Sequence, residues 1–143
     1  MRTLFDTSVL VPAVTDQLGN HEAALDALSR YTRGEHEGYC SAHALAECYA
    51  TLTALPLPTR IVPEEARMLV EEDVAERLAV VELATDDYRS VLRSVADLGL
   101  ASGSIYDALH VYCARKVGAD QVLTYNVRHF ARFQLPGVVV TTP

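Results

Sequence analysis

The chain has 143 residues, half of them hydrophobic and 22% charged, with a formal net charge of −7 at pH 7, which suits one domain around one core. That charge argues against a protein that grips nucleic acid through a broad basic face, and no apolar run nears the ~20 residues that would span a bilayer. The opening MRTLFDTSVL carries one basic residue and meets Asp6 almost at once, unlike a signal peptide. Cys40, Cys48 and Cys113 are scattered and form no CxxC pair, which points to a reducing cytoplasm rather than a disulfide framework or zinc knuckle.

No repeat, low-complexity tract or linker divides the chain, so residues 1–143 read as a single domain. Residues 2–5 form a first strand, ended by Asp-Thr-Ser and followed by an apolar stretch through Val14. Residues 20–32 predict a helix, because Ala23, Ala24, Ala27, Leu28 and Tyr31 recur at helical spacing. Gly34 and Gly38 bracket a turn before a short strand at 39–41. Residues 42–55 predict a second helix, stopped by Pro56-Leu57-Pro58. Pro63 with Glu64 and Glu65 starts another, since proline is tolerated in the first turn and acids favour the positive end of the helix dipole. A mostly apolar strand spans 78–83. Thr85-Asp86-Asp87 caps the next helix, which Gly99 closes. Ser104 begins a helix to Val117, with Ile105, Leu109, Cys113 and Val117 in one stripe, and Gly118 ends it. A strand at 121–124, a helical turn at 127–133 and a last strand at 138–141 follow. Strands alternating with helices predict an α/β three-layer sandwich: a central, mainly parallel sheet with helices on both faces.

In such a sheet, ligands bind beyond the carboxyl ends of the strands. Connectivity alone puts four residues there. Asp6 follows the first strand, and Glu47 lies in the early turns of the helix that leaves the second. Asp107 starts the helix that must return to the strand at 121, and Asn126 follows that strand. Asp120, just before the strand, falls on the opposite edge and is excluded as a ligand.

Each has an ordinary structural reading. Asp6 can cap a helix, and Glu47 can face water on an amphipathic one. Ser104-Ile105-Tyr106-Asp107 has nearly the form of a capping box, and Asn126 can cap the turn at Val127 or make an Asx turn. Their convergence is what those readings leave unexplained. Carboxylates ~5 Å apart repel by ~3 kcal/mol per pair at an effective dielectric of ~20, so a fold that gathers three must protonate one or bind cations. Hard oxygen donors favour magnesium or manganese over zinc, and such a metal can activate water and stabilise charge on a phosphoryl group. A metal-dependent phosphate-transfer or hydrolysis site follows; its substrate does not.

Four segments carry a resemblance: LFDTSVLV (4–11), YCSAHALAECY (39–49), GSIYDALHVYCARKVGAD (103–120) and VLTYNVRHF (122–130). In order and spacing they resemble the successive motifs of the PIN-domain family, and the short length is similar to that of the VapC toxins of bacterial toxin–antitoxin pairs. The resemblance implies a Mg2+-dependent endoribonuclease, in which Mn2+ can substitute, with Asp6, Glu47 and Asp107 as the acidic ligands. Asn126 falls where a fourth acid often stands, which leaves one-metal and two-metal chemistry both open. Thr7 and Thr124 match polar positions that orient ligands or water, or serve as structural hydroxyls. The implied reaction is in-line attack by metal-activated water on an RNA phosphodiester, leaving a 5′-phosphate and a 3′-hydroxyl.

Arg128 and His129 are candidates for holding substrate phosphate, Arg128 the better because arginine binds phosphate bidentately; both can also be plain surface residues. His43 and His110, at helical spacing from Glu47 and Asp107, read as groups behind the ligands or on the surface, since neither completes a zinc motif. The family further implies a homodimer and a small cognate antitoxin, to whose basic segment the −7 charge is complementary. Neither a membrane nor an organic cofactor is implied. Three rivals stand beside this reading. One is a nuclease that processes RNA without being a toxin, and another a PIN fold that only binds. The third is a haloacid-dehalogenase-like phosphatase with Asp6 as nucleophile, which Ser8 disfavours by standing where that class has a second Asp.

Overall fold

The computed structural model describes residues 1–31 and 36–143. Its centre is a sheet of five strands, β1 (Arg2–Phe5), β2 (Glu37–Ser41), β3 (Ala79–Val81), β4 (Gln121–Leu123) and β5 (Val139–Thr141), in the order β3-β2-β1-β4-β5. Every pairing is parallel, including Leu4 against Tyr39 on one side of β1 and against Val122 on the other. The expected sheet is thus parallel throughout.

Strand alternation assigns the helices to two layers. Phe5, Cys40 and Leu123 join a core with α1 (Thr7–Ala13), α2 (His21–Tyr31), α3 (Ala42–Ala54) and α4 (Pro63–Met68). Their chain neighbours Leu4 and Val122, with Val81, join a second core on α5 (Thr85–Asp97) and α6 (Ser104–Lys116). A short α7 (Val127–Phe130) contributes Phe130 to that second core.

Several boundaries depart from the sequence reading. The apolar stretch after Asp6 is a helix, α1, with six of its seven residues buried. The helix at Pro63 winds on as a π-helical segment, Leu69–Ala75. The strands read at 78–83 and 138–141 contract to β3 and β5, and the helical turn read at 127–133 to α7. The expected helix end at Thr32 and turn residue Gly34 lie outside the described residues. Gly38 is inside β2 rather than in a turn: a Cβ there would come 2.6 Å from Leu78 Cδ2 and 3.0 Å from Tyr31 Cβ, so glycine lets α2 and the chain entering β3 close over the strand.

The chain leaves β1 toward β2 and β3, then returns to the other side of β1 to add β4 and β5. That reversal leaves a crevice at the carboxyl ends of β1 and β4, where such sheets bind ligands. Asp120 sits at the far edge, its Oδ2 accepting from Arg2 N at 2.7 Å.

Candidate active site

Asp6 occupies the junction of β1 and α1. Its backbone N–H donates to Leu123 O of β4 at 3.0 Å, which locks the residue at the mouth of the crevice. It stands at the N-cap of α1, yet its carboxylate makes no capping bond. Instead Oδ2 accepts from Ser8 Oγ at 2.7 Å and from Thr124 Oγ1 at 2.8 Å. Those hydroxyls orient a carboxylate that is only 3% exposed. Ser8 Oγ also accepts from Tyr125 N, and Thr124 Oγ1 from Asn126 N, so the β4–α7 turn is tied to the same acid.

Glu47 comes from α3. Ser41, the last residue of β2, caps that helix by accepting from Ala44 N at 2.9 Å, which aims α3 away from the carboxyl edge. Glu47 Oε1 accepts from His110 Nε2 at 2.8 Å, and His43 Nε2 lies 3.1 Å from the same oxygen. Asp107 comes from the first turn of α6. The capping box read at Ser104 does not form, because α6 starts at Ser104 with Gly103 as its N-cap. Asp107 Oδ2 is instead met by Arg132 Nη2 at 3.0 Å, while Arg132 Nη1 donates to Ser104 Oγ.

Asp6, Glu47, Asp107, Asn126, Thr7 and Ser8 line one cavity of about 370 Å³. Asn126, exposed, makes no side-chain capping bond to α7. Thr124 stands buried behind Asp6. His129 Nδ1 is 3.7 Å from Asp107 Oδ2, at the rim. Arg128 is exposed, does not line the cavity, and makes no hydrogen bond or ion pair among the described residues.

Charge in the cavity is partly balanced from within. His110 is buried, its Nδ1 2.8 Å from Ser41 Oγ and its Nε2 3.6 Å from Asp6 Oδ1. Burial disfavours its cation, but the Glu47 hydrogen bond and the fields of Asp6, Glu47 and Asp107 outweigh that and raise its pKa. Burial, with the neighbouring Asp6 charge, raises the pKa of Asp107 against the opposing pull of His110, His129 and Arg132. Burial lowers that of His43.

Of the two readings given for His110, a group behind a ligand or a surface residue, its contact with Glu47 fits the first, whereas Ser8 and Arg132 were not expected to contact these acids. Ser8 carried a signal, standing inside the DTS segment itself. Arg132 carried none, because only the α7 turn brings it 25 residues back to Asp107.

The donor set suits a hard divalent cation: three carboxylate residues and Asn126 line one cavity. Thr7 lines the same space, but its Oγ1 is buried and has no hydrogen-bond partner among the described residues. As placed, no three His, Cys, Asp or Glu side chains among the described residues close on one point. Arg132 and His110 engage Asp107 and Glu47, so the acids ring the cavity rather than collapse on its centre.

Comparison with known proteins bears on the family and the fold. Residues 3–134 match the PIN domain model. The chain is 34% identical over 123 residues to Ribonuclease VapC40 of Mycobacterium tuberculosis, covering 86% of this chain and 85% of that one. Two solved structures share the fold. VapC20 of M. tuberculosis, described as a sarcin-ricin loop cleaving toxin, has a TM-score of 0.73 at 14% identity, covering 93% of this chain and 96% of that one. VapBC2 of Rickettsia felis, solved with a DNA fragment from its promoter, has a TM-score of 0.67 at 18% identity, with both chains fully covered. The chain belongs to the PIN-domain family, among its VapC ribonucleases.

Proposed function

We propose that this VapC-type chain, the ribonuclease toxin of a toxin–antitoxin pair, cuts RNA internally with Mg2+, or Mn2+ in its place, held by Asp6, Glu47 and Asp107. One observation carries the reading: acids from the end of β1, from α3 and from α6, far apart in sequence, line one cavity. When bound, a divalent cation lowers the pKa of water and stabilises charge on a phosphoryl oxygen.

The chain's own residues prepare the reaction. Ser8 and Thr124 hold Asp6 Oδ2 in one orientation, and His110 holds Glu47 Oε1. Asn126 brings a neutral oxygen where a fourth carboxylate would add charge, which favours a single tightly held cation. Arg132, on Asp107, and His129 at the rim are placed to meet a substrate phosphate once the cation neutralises that carboxylate. Arg128, solvent-facing on the same turn, extends that basic edge.

A small basic antitoxin is the expected inhibitor. The −7 charge is complementary to it, and the fold is shared with a VapBC assembly. The acting species is taken as a homodimer in the cytoplasm; among the described residues no helix is long and apolar enough to cross a membrane.

Incubation of purified protein with total RNA and Mn2+ tests the reading. Wild type is expected to leave discrete fragments with 5′-phosphate ends, and Asp6→Asn none. Identical RNA patterns from the two proteins would refute it.

A further inference from the structure

We propose that a second cavity, beside the acidic one, receives an unpaired base of the RNA substrate; this rests on the ribonuclease reading. The cavity measures about 340 Å³ and lies at the carboxyl ends of β2 and β3, where Ser41, His43, Val81, Leu83 and Tyr88 line it. His43 is its wall toward the acidic site: the residue lines this cavity, while its Nε2 is 3.1 Å from Glu47 Oε1 in the other.

One face of the His43 ring is already covered. Tyr106 stacks on it with centroids 4.9 Å apart and planes 11° from parallel. Tyr106 directly precedes Asp107 and is 49% exposed; Tyr88, which lines the second cavity, is 41% exposed. Solvent-open aromatic rings therefore stand beside Asp107, where Tyr106 stacks on His43, and on the wall of the second cavity at Tyr88.

The wall chemistry selects the occupant. Single-stranded RNA is held by stacking of splayed bases on Tyr and His rings, an interaction that every base supports and that needs no net positive charge. That suits a chain of net charge −7, which has little capacity for phosphate contacts over a long footprint. Val81 and Leu83 add apolar walls, and the Glu82 carbonyl at this edge is already occupied by Lys116 Nζ at 3.0 Å. The basic groups Arg132 and His129 meet Asp107 from α7. Because His43 joins the second cavity to Glu47 of the acidic one, a base held there would fix which nucleotide neighbours the cut.

Tyr88 is the residue to test, since it is exposed and outside the acidic cavity. On one RNA with Mn2+, Tyr88→Ala is expected to raise KM about tenfold, within the range that base–aromatic stacking supplies, and to change kcat little. Tyr88→Phe should restore KM. The chain has no tryptophan, so Tyr88→Trp supplies a single tryptophan whose emission can be excited apart from that of the tyrosines. In EDTA, single-stranded RNA of about ten nucleotides should quench it, and an abasic oligonucleotide with as many phosphates should not.

If wild type cuts RNA while Tyr88→Ala keeps the wild-type KM, the base cavity is overturned and the ribonuclease stands. Equal quenching by the abasic oligonucleotide would also overturn it, as would a fall in oligomer mass on Tyr88→Ala with KM unchanged. If wild type cuts no RNA with either cation, the ribonuclease reading falls first.

Discussion

His110 Nε2 lies 2.8 Å from Glu47 Oε1, in a ring only 1% exposed, and its other nitrogen lies 2.8 Å from Ser41 Oγ. One imidazole on α6 therefore ties down both the cap of α3 and the acid that α3 carries. His110→Ala leaves the Glu47 contact unmade inside the protein, at a cost of about 1–3 kcal/mol. Urea unfolding is expected to show that loss, with ribonuclease activity falling further than the folded fraction. His110→Gln, whose amide can donate to Glu47, should recover part of both. Unchanged stability in His110→Ala would mean that the ring is a bystander.

Asp107 is expected to weaken the metal-free protein. Burial and the Asp6 charge raise its pKa, so its ionised form costs stability as pH rises from the unfolded value of about 3.9 through the higher folded one. In EDTA at pH 7, Asp107→Asn should melt at a higher temperature than wild type. Below pH ~4 the gap should close. A lower melting temperature at pH 7 would show that the Arg132 ion pair outweighs the burial cost.

Asp87 has the opposite sign. Its carboxylate accepts from Ala84 N at 2.8 Å and Tyr112 Oη at 2.8 Å, and pairs with Lys116 Nζ at 3.1 Å. These contacts, the Ala84 N–H foremost, lower its pKa. Its contribution is present above the unfolded value of about 3.9 and lost as pH falls through the lower folded value. Asp87→Asn should therefore be less stable than wild type at neutral pH, with the difference shrinking only below pH ~4. A constant difference across acid titration would count against the charge.

The three thiols should be silent. Cys40, Cys48 and Cys113 are buried, and burial pushes Cys40 and Cys113 up to about 12 and raises Cys48 as well. A thiol reagent at pH 8 is expected to label none in the native protein and all three after unfolding. Rapid native labelling would contradict the packing of both cores.

Much of the fold was legible because short apolar runs, turn residues and helix stripes are local signals. Leu4 and Phe5, or Val122 and Leu123, face opposite cores, and the carboxyl-edge placement of Asp6, Glu47 and Asp107 followed from connectivity alone. What stayed hidden has physical reasons. α1 has no polar face, six of its seven residues being buried and one of them Pro12, so it leaves no amphipathic period. Gly38 looked like a turn residue because its reason for being glycine, the approach of Tyr31 and Leu78, is tertiary. Arg132 reaches the site through packing rather than motif, and for His110 sequence spacing alone cannot distinguish a histidine behind a ligand from one on the surface.

Calorimetric titration of the metal-free protein with Mn2+ tests the central claim most directly. Asp6, Glu47 and Asp107 are predicted to share one binding event, so Asp6→Asn, Glu47→Gln and Asp107→Asn should each weaken that same event by tenfold or more, about 1.4 kcal/mol. If any one of the three substitutions leaves Mn2+ affinity at the wild-type value, the acids do not form a common site and the account is wrong.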